Sequence, residues 1–141
     1  KANAIAPFKR PLSSMSPTII IDSEGTPILT IGAAGGSRII TSVLQNIISI
    51  LDHDLNIQEA IDMPRTHSQW LPDILRYEKN SLTKETISEL EALNHIFEHE
   101  GVVERGVYGL AQTHGVQFKD NKFITGFDKR GRYDENEGIT Y

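Results

Sequence analysis

Two short apolar runs separated by a turn constrain this chain more than any other feature. Thr18-Ile19-Ile20-Ile21 is β-branched and short, and it reads as a buried strand. Asp22-Ser23-Glu24-Gly25-Thr26 reads as a turn, with Gly25 able to take positive φ. Pro27 to Ile31 reads as the return strand. A hairpin sets its two outer ends side by side, so the residues before Thr18 lie beside those after Ile31. The first loop is Arg10-Pro11-Leu12-Ser13-Ser14-Met15-Ser16-Pro17 and the second is Gly32-Ala33-Ala34-Gly35-Gly36-Ser37-Arg38. Together they offer hydroxyls and backbone amides, the groups that hold a carboxylate and a developing oxyanion.

The second loop runs into the clearest helix pattern, with Ile39, Ile40, Val43, Leu44, Ile47, Ile48 and Leu51 forming a wide apolar stripe. Ser37 is its expected N-cap, and Asp52-His53-Asp54 ends it. Asn56-Ile57-Gln58-Glu59 has the form of a capping box for a short helix that Pro64 terminates. Ile74 to Glu78 alternates like a strand, and Thr83 to Leu93 reads as a second amphipathic helix. Val116 to Phe118 and Phe123 to Thr125 flank Asp120-Asn121 as a second hairpin. Lys1 to Arg10 reads as an entering segment, and Arg130 to Tyr141 as a polar tail over the surface. This order predicts an α+β layered fold, with residues 1–141 forming one domain piece.

Bulk properties narrow the function. A net charge of −5 with scattered basic residues argues against a nucleic-acid surface. With no cysteine there is neither a disulfide framework nor thiolate chemistry. No apolar run approaches the ~20 residues that span a bilayer, and no signal peptide is visible.

Individual residues admit plain readings beside functional ones. Gly35-Gly36 between a strand and a helix is either a tight turn or an anion-binding turn. No lysine follows the glycines, which excludes a P-loop, and Gly32-x-x-Gly35 lacks the dinucleotide spacing. Ser13-Ser14 are either turn serines or donors to a carboxylate, and no Gly-x-Ser-x-Gly elbow makes either a nucleophile. His95 and His99 are four apart, but Ile96-Phe97 reads as strand, so no metal or other cofactor is expected. His53 and His67 are expected to face solvent or satisfy local carbonyls, and Trp70 to anchor packing. Arg65 sits at a helix end, where a cation is favoured, whereas Arg38 at a helix start calls for a partner carboxylate.

Three runs are specific enough to name a family. Lys9-Arg10-Pro11-Leu12-Ser13-Ser14-Met15-Ser16-Pro17-Thr18 is followed by Gly35-Gly36-Ser37-Arg38-Ile39-Ile40. Then comes Glu59-Ala60-x-x-x-Pro64-Arg65-x-His67-x-Gln69-Trp70-Leu71-Pro72-Asp73. This set resembles the γ-glutamyltransferases, most strongly from Asn3 to about Glu78. Near the C-terminal end the family usually carries Asp-Pro-Arg, where this chain has Asp128-Lys129-Arg130.

The resemblance implies part of an αββα N-terminal-nucleophile hydrolase sandwich. In such enzymes a precursor cleaves itself into a large and a small subunit. The new N-terminal Thr attacks the γ-glutamyl amide of glutathione or a related compound. The γ-glutamyl-enzyme then passes its acyl group to water or an amino acid. By resemblance, Ser13 and Ser14 bind the substrate α-carboxylate, and Gly35 and Gly36 supply the oxyanion hole. The partners implied are the remainder of the small subunit and the large subunit, which supplies an Arg to the same carboxylate. A periplasmic or extracellular location is likewise implied. The chain would correspond to the C-terminal portion of the small subunit, with the nucleophile upstream of Lys1, so alone it is expected to be inactive. The alternatives are a non-catalytic carboxylate-binding domain and an anion- or nucleotide-binding α/β module.

Overall fold

The computed structural model describes residues 3–99 and 109–130. Strand β1 (Thr18–Ile21) pairs antiparallel with β2 (Pro27–Ala34), setting Thr18 opposite Ile31 and Ile20 opposite Leu29. The turn between them is built by Asp22, whose Oδ1 accepts hydrogen bonds from the Glu24 and Thr26 amides at 2.9 and 2.8 Å.

β2 runs three residues further than its apolar pattern implies. Gly32-Ala33-Ala34 have little strand preference, but β6 (Gln112–Lys119) pairs along their whole length, with Ala34 opposite Gln112 and Leu29 opposite Gln117. β7 (Lys122–Phe127) completes a sheet of order β1-β2-β6-β7. Asp120 and Asn121, both with positive φ, make the tight turn between β6 and β7.

One face of this sheet carries the core. Leu29 and Ile31 point into it while Thr30 between them is exposed, as the period of two demands. Helix α1 (Ile39–Leu51) contributes Ile39, Val43 and Ile50 from one side of its stripe, and Ile40, Leu44, Ile48 and Leu51 on the other side remain exposed. Helix α2 (Ile57–Asp62) has only six residues, too few to persist on backbone bonds alone. Two things hold it. The Asn56/Glu59 capping box forms in both directions, at 2.9 and 2.8 Å. Ile57 and Ile61 are fully buried, each contributing about 1.5–3 kcal/mol. They reach the sheet over Gly115 and Gly126, where an added Cβ would lie 2.9 Å from Ile57 Cδ1 and 2.5 Å from Ile61 Cδ1.

A smaller sheet follows. β3 (Thr66–His67) pairs antiparallel with β4 (Leu75–Tyr77), which pairs parallel with β5 (Phe97–His99). A parallel pair needs a crossover, and α3 (Lys84–Ala92) supplies it, capped by Thr83 Oγ1 on the Thr86 amide at 3.1 Å. Among the described residues the two sheets and three α-helices give an α+β fold.

Five expectations need correction. β1 is not a buried strand: it lies at the edge of the described sheet, with Ile19 and Ile21 exposed. Ser37 does not cap α1: a 3₁₀ turn, Gly36–Arg38, leads directly into the helix, whose N-cap Arg38 makes no side-chain capping bond. Trp70 is not a packing anchor, because it is 80% exposed. His67 is buried and bonded to two side chains. Arg130 does not begin a surface tail; its guanidinium is largely enclosed by an ion-pair network. Gly131 to Tyr141, the rest of that tail, lie outside the described residues.

Candidate active-site segment

The hairpin carries both small-residue loops to one end of the four-stranded sheet. Gly35 and Gly36 follow β2 immediately, and the serines precede β1 by four and five residues. Ser13 is exposed and Ser14 partly buried. Their hydrogen bonds are local: Ser13 Oγ accepts from the Met15 amide at 3.2 Å, and the Ser14 carbonyl accepts from Ser16 Oγ at 3.2 Å. Among the described residues no hydrogen bond joins the two loops.

The two glycines are required for different reasons. Gly35 has φ 152° and ψ 22°, and a Cβ there would sit 2.6 Å from Ala111 Cβ and 2.7 Å from Ala111 Cα. Gly36 has φ 62° with open space where a Cβ would project, so only its backbone conformation favours glycine. The turn closes through the Arg38 amide on the Gly35 carbonyl at 3.3 Å. The Arg38 side chain donates from Nη1 to the Gly109 carbonyl at 2.8 Å. Successive N–H groups at the start of such a turn are the ones a helix leaves without internal partners, and they can point at an anion.

Two side-chain networks brace this turn, and neither was visible as a network in the sequence. In the first, Ser37 Oγ donates to Gln69 Oε1 at 2.6 Å. His67 Nε2 lies 2.9 Å from the same oxygen, and His67 Nδ1 lies 2.7 Å from Thr41 Oγ1. Gln69 Nε2 donates to the Leu71 carbonyl at 2.9 Å.

The second is a buried ion network. Arg65 Nη2 donates to Asp128 Oδ2 at 2.8 Å and to the Ile61 carbonyl at 3.0 Å, and Arg65 Nη1 donates to the Ala111 carbonyl at 2.8 Å. The expected helix-end role of Arg65 is therefore met through Ile61, but by a side chain only 2% exposed. Asp128 Oδ2 also accepts from the Thr113 amide at 2.8 Å. Arg130 grips Glu78 with both Nε and Nη2 at 2.8 Å, and donates from Nη1 to Asp128 Oδ1 at 3.2 Å. Burial lowers the pKa of Arg65 below the usual arginine value despite the attraction of Asp128. For Arg130 burial acts the same way but is outweighed by Glu78 and Asp128, so its pKa rises. Lys129, the departure from Asp-Pro-Arg, is exposed between two residues that carry all the described contacts of this corner. Because Ala111 is both an acceptor for Arg65 and the surface under Gly35, the ion network supports the glycine turn from below.

Among the described residues no three His, Asp or Glu side chains gather as metal ligands would, and no helix is long and apolar enough to cross a membrane.

Known proteins share the sequence and fold of this segment. The family model described as gamma-glutamyltranspeptidase matches residues 1–137. A glutathione hydrolase proenzyme of Escherichia coli strain K12 is 54% identical over 91 residues, covering 64% of this chain and 15% of the relative. A glutathione hydrolase proenzyme from Pseudomonas sp. strain A14 is 44% identical over 97 residues, or 69% of this chain and 17% of that protein. This chain thus spans about one sixth of those curated relatives. The solved structure of a variant gamma-glutamyltranspeptidase from Helicobacter pylori superposes with a TM-score of 0.78 at 38% identity, covering 92% of this chain and 67% of that one. The chain belongs to the γ-glutamyltranspeptidase family.

Proposed function

We propose that the protein carrying this segment transfers or hydrolyses the γ-glutamyl group of glutathione and related amides through a γ-glutamyl-enzyme, with water or an amino acid as acceptor. The observation that carries this reading is the Gly35-Gly36 turn. Two consecutive positive-φ glycines lie at the mouth of a long helix, beside a loop of serines at the same sheet end. In this reading the glycine turn receives the charge that develops on the γ-carbonyl oxygen as the nucleophile attacks. Ser13 and Ser14 hold the substrate α-carboxylate through charge-assisted hydrogen bonds.

The remaining parts of the site come from outside residues 1–141. An N-terminal Thr on the rest of the small subunit is the nucleophile, and the large subunit supplies an Arg for the carboxylate. The names of the relatives, glutathione hydrolase proenzymes, support both the substrate class and maturation by cleavage. The test is rapid acid quenching of the complete, processed protein during turnover of a γ-glutamyl anilide, followed by intact mass measurement. A γ-glutamyl adduct on the Thr-led subunit is expected. Turnover of the anilide without any such adduct, or no turnover of γ-glutamyl amides at all, contradicts the reading.

A further inference from the structure

We infer that Gln69 is a positioning residue for the oxyanion turn, acting through Ser37 and itself held by His67. The inference rests on the oxyanion reading of Gly35 and Gly36 and adds what keeps that turn in place.

The hydrogen bonds leave little freedom in how this network is arranged. Gln69 Nε2 donates to the Leu71 carbonyl at 2.9 Å, and rotating the amide would set oxygen against oxygen there. Gln69 Oε1 therefore faces both Ser37 Oγ at 2.6 Å and His67 Nε2 at 2.9 Å. A carbonyl oxygen only accepts, so both groups donate to it, and His67 carries a proton on Nε2. In the neutral ring Nδ1 is then an acceptor, so the single Thr41 hydroxyl proton goes to it at 2.7 Å in preference to the Arg38 carbonyl, the other acceptor within reach at 3.2 Å. Thr41 lies in the first turn of α1, four residues after Ser37. The connections run from α1 through His67 and Gln69 back to the turn that opens α1.

This circuit ties the start of α1 to the 66–71 segment without capping its amides. The helix has no side-chain cap of its own, and Gly36 and Gly35 give the turn its conformation without restricting it. Below, Gly35 rests on Ala111 and Arg38 on the Gly109 carbonyl. Ser37 ties the turn to the 66–71 segment as well, in the middle of the glycine-to-helix passage. An oxyanion donor is effective only if its N–H already points where the charge will form, so a loosened turn loses rate more than substrate affinity.

The experiment uses the complete, processed protein and measures kcat, KM and thermal unfolding with a γ-glutamyl anilide. Ser37→Ala and Gln69→Ala should each lower kcat by about three- to tenfold, the equivalent of one net hydrogen bond, with little change in KM or unfolding. The double variant should be no worse than Gln69→Ala alone, because that change already removes the link made by Ser37. Ser37→Thr, which keeps the hydroxyl, should restore most of the kcat lost in Ser37→Ala. Losses confined to KM, additive losses, or a Ser37→Thr variant as slow as Ser37→Ala would overturn the inference. Gly36→Ala, measured beside them, separates the two readings. If Gly36→Ala is slow while Ser37→Ala and Gln69→Ala keep wild-type kcat, the positioning role fails and the oxyanion reading stands. If folded Gly36→Ala keeps its kcat, the oxyanion reading fails and takes the positioning role with it.

Discussion

Ala111 lies directly against Gly35, so close that a Cβ on the glycine would sit 2.6 Å from the alanine methyl carbon. Ala111 is fully buried and its carbonyl is held by Arg65 at 2.8 Å, so it has nowhere to retreat. Gly35→Ala should therefore destabilise the protein by at least the ~1–3 kcal/mol typical of overpacking. Thermal unfolding of the complete protein checks this. A Gly35→Ala variant that unfolds at the wild-type temperature would show that the contact yields more easily than its geometry implies.

Asp128 is the anion on which Arg65 depends. Asp128→Asn keeps an acceptor for the Thr113 amide but leaves Arg65 as a buried cation without its paired charge. A loss of about 3–5 kcal/mol is expected from breaking a buried pair on one side. Lys129→Ala, at the exposed position between the network residues, should stay within about 0.5 kcal/mol of wild type. Denaturant unfolding of both variants tests the contrast, and equal stabilities would remove the ion network from the account.

Asn56→Ala should cost about 1 kcal/mol, since it deletes the cap of a six-residue helix. The predicted readout is a lower unfolding midpoint with kinetics preserved, because α2 packs on the sheet away from the two loops. A fall in kcat at unchanged stability would mean that α2 reaches the site.

Much of the fold was legible because it is specified locally. Asp22 and Gly25 make the first turn, Asn56 and Glu59 cap α2, and Asp120-Asn121 make the second turn, each within a few residues of its partners. The stripe of α1 shows a helix but not which side is buried; Ile39 and Val43 face the core whereas Ile40 and Leu44 do not. The supporting networks were illegible for a related reason. Arg65 and Asp128 are 63 positions apart, and Ser37 and Gln69 are 32 apart. Nothing in local patterning couples them. Arg65-x-His67-x-Gln69 reads in sequence as a helix-end cation, a local histidine and part of the family resemblance. Its alternation along β3 into the following loop was the available signal, since it spaces three long polar side chains two residues apart.

Replacing Ser13 and Ser14 together with Ala should raise KM and lower kcat/KM for γ-glutamyl substrates by about ten- to a hundredfold, the equivalent of losing a hydrogen bond to a charged group. Both side chains make only local contacts in the structure, so unfolding should be unaffected. Unchanged kinetics would return these serines to a simple turn.

The most direct test of the central claim is kcat for Gly36→Ala in the complete protein, read beside its thermal unfolding. An added Cβ at Gly36 meets no atom within 4 Å, so the cost to the fold is limited to the ~1–2 kcal/mol of a left-handed alanine. The account predicts a folded variant whose kcat falls by about 10²–10³, because relaxation of the turn from the left-handed region, or the methyl group itself, takes an oxyanion donor off its target. A folded Gly36→Ala variant with wild-type kcat would contradict it.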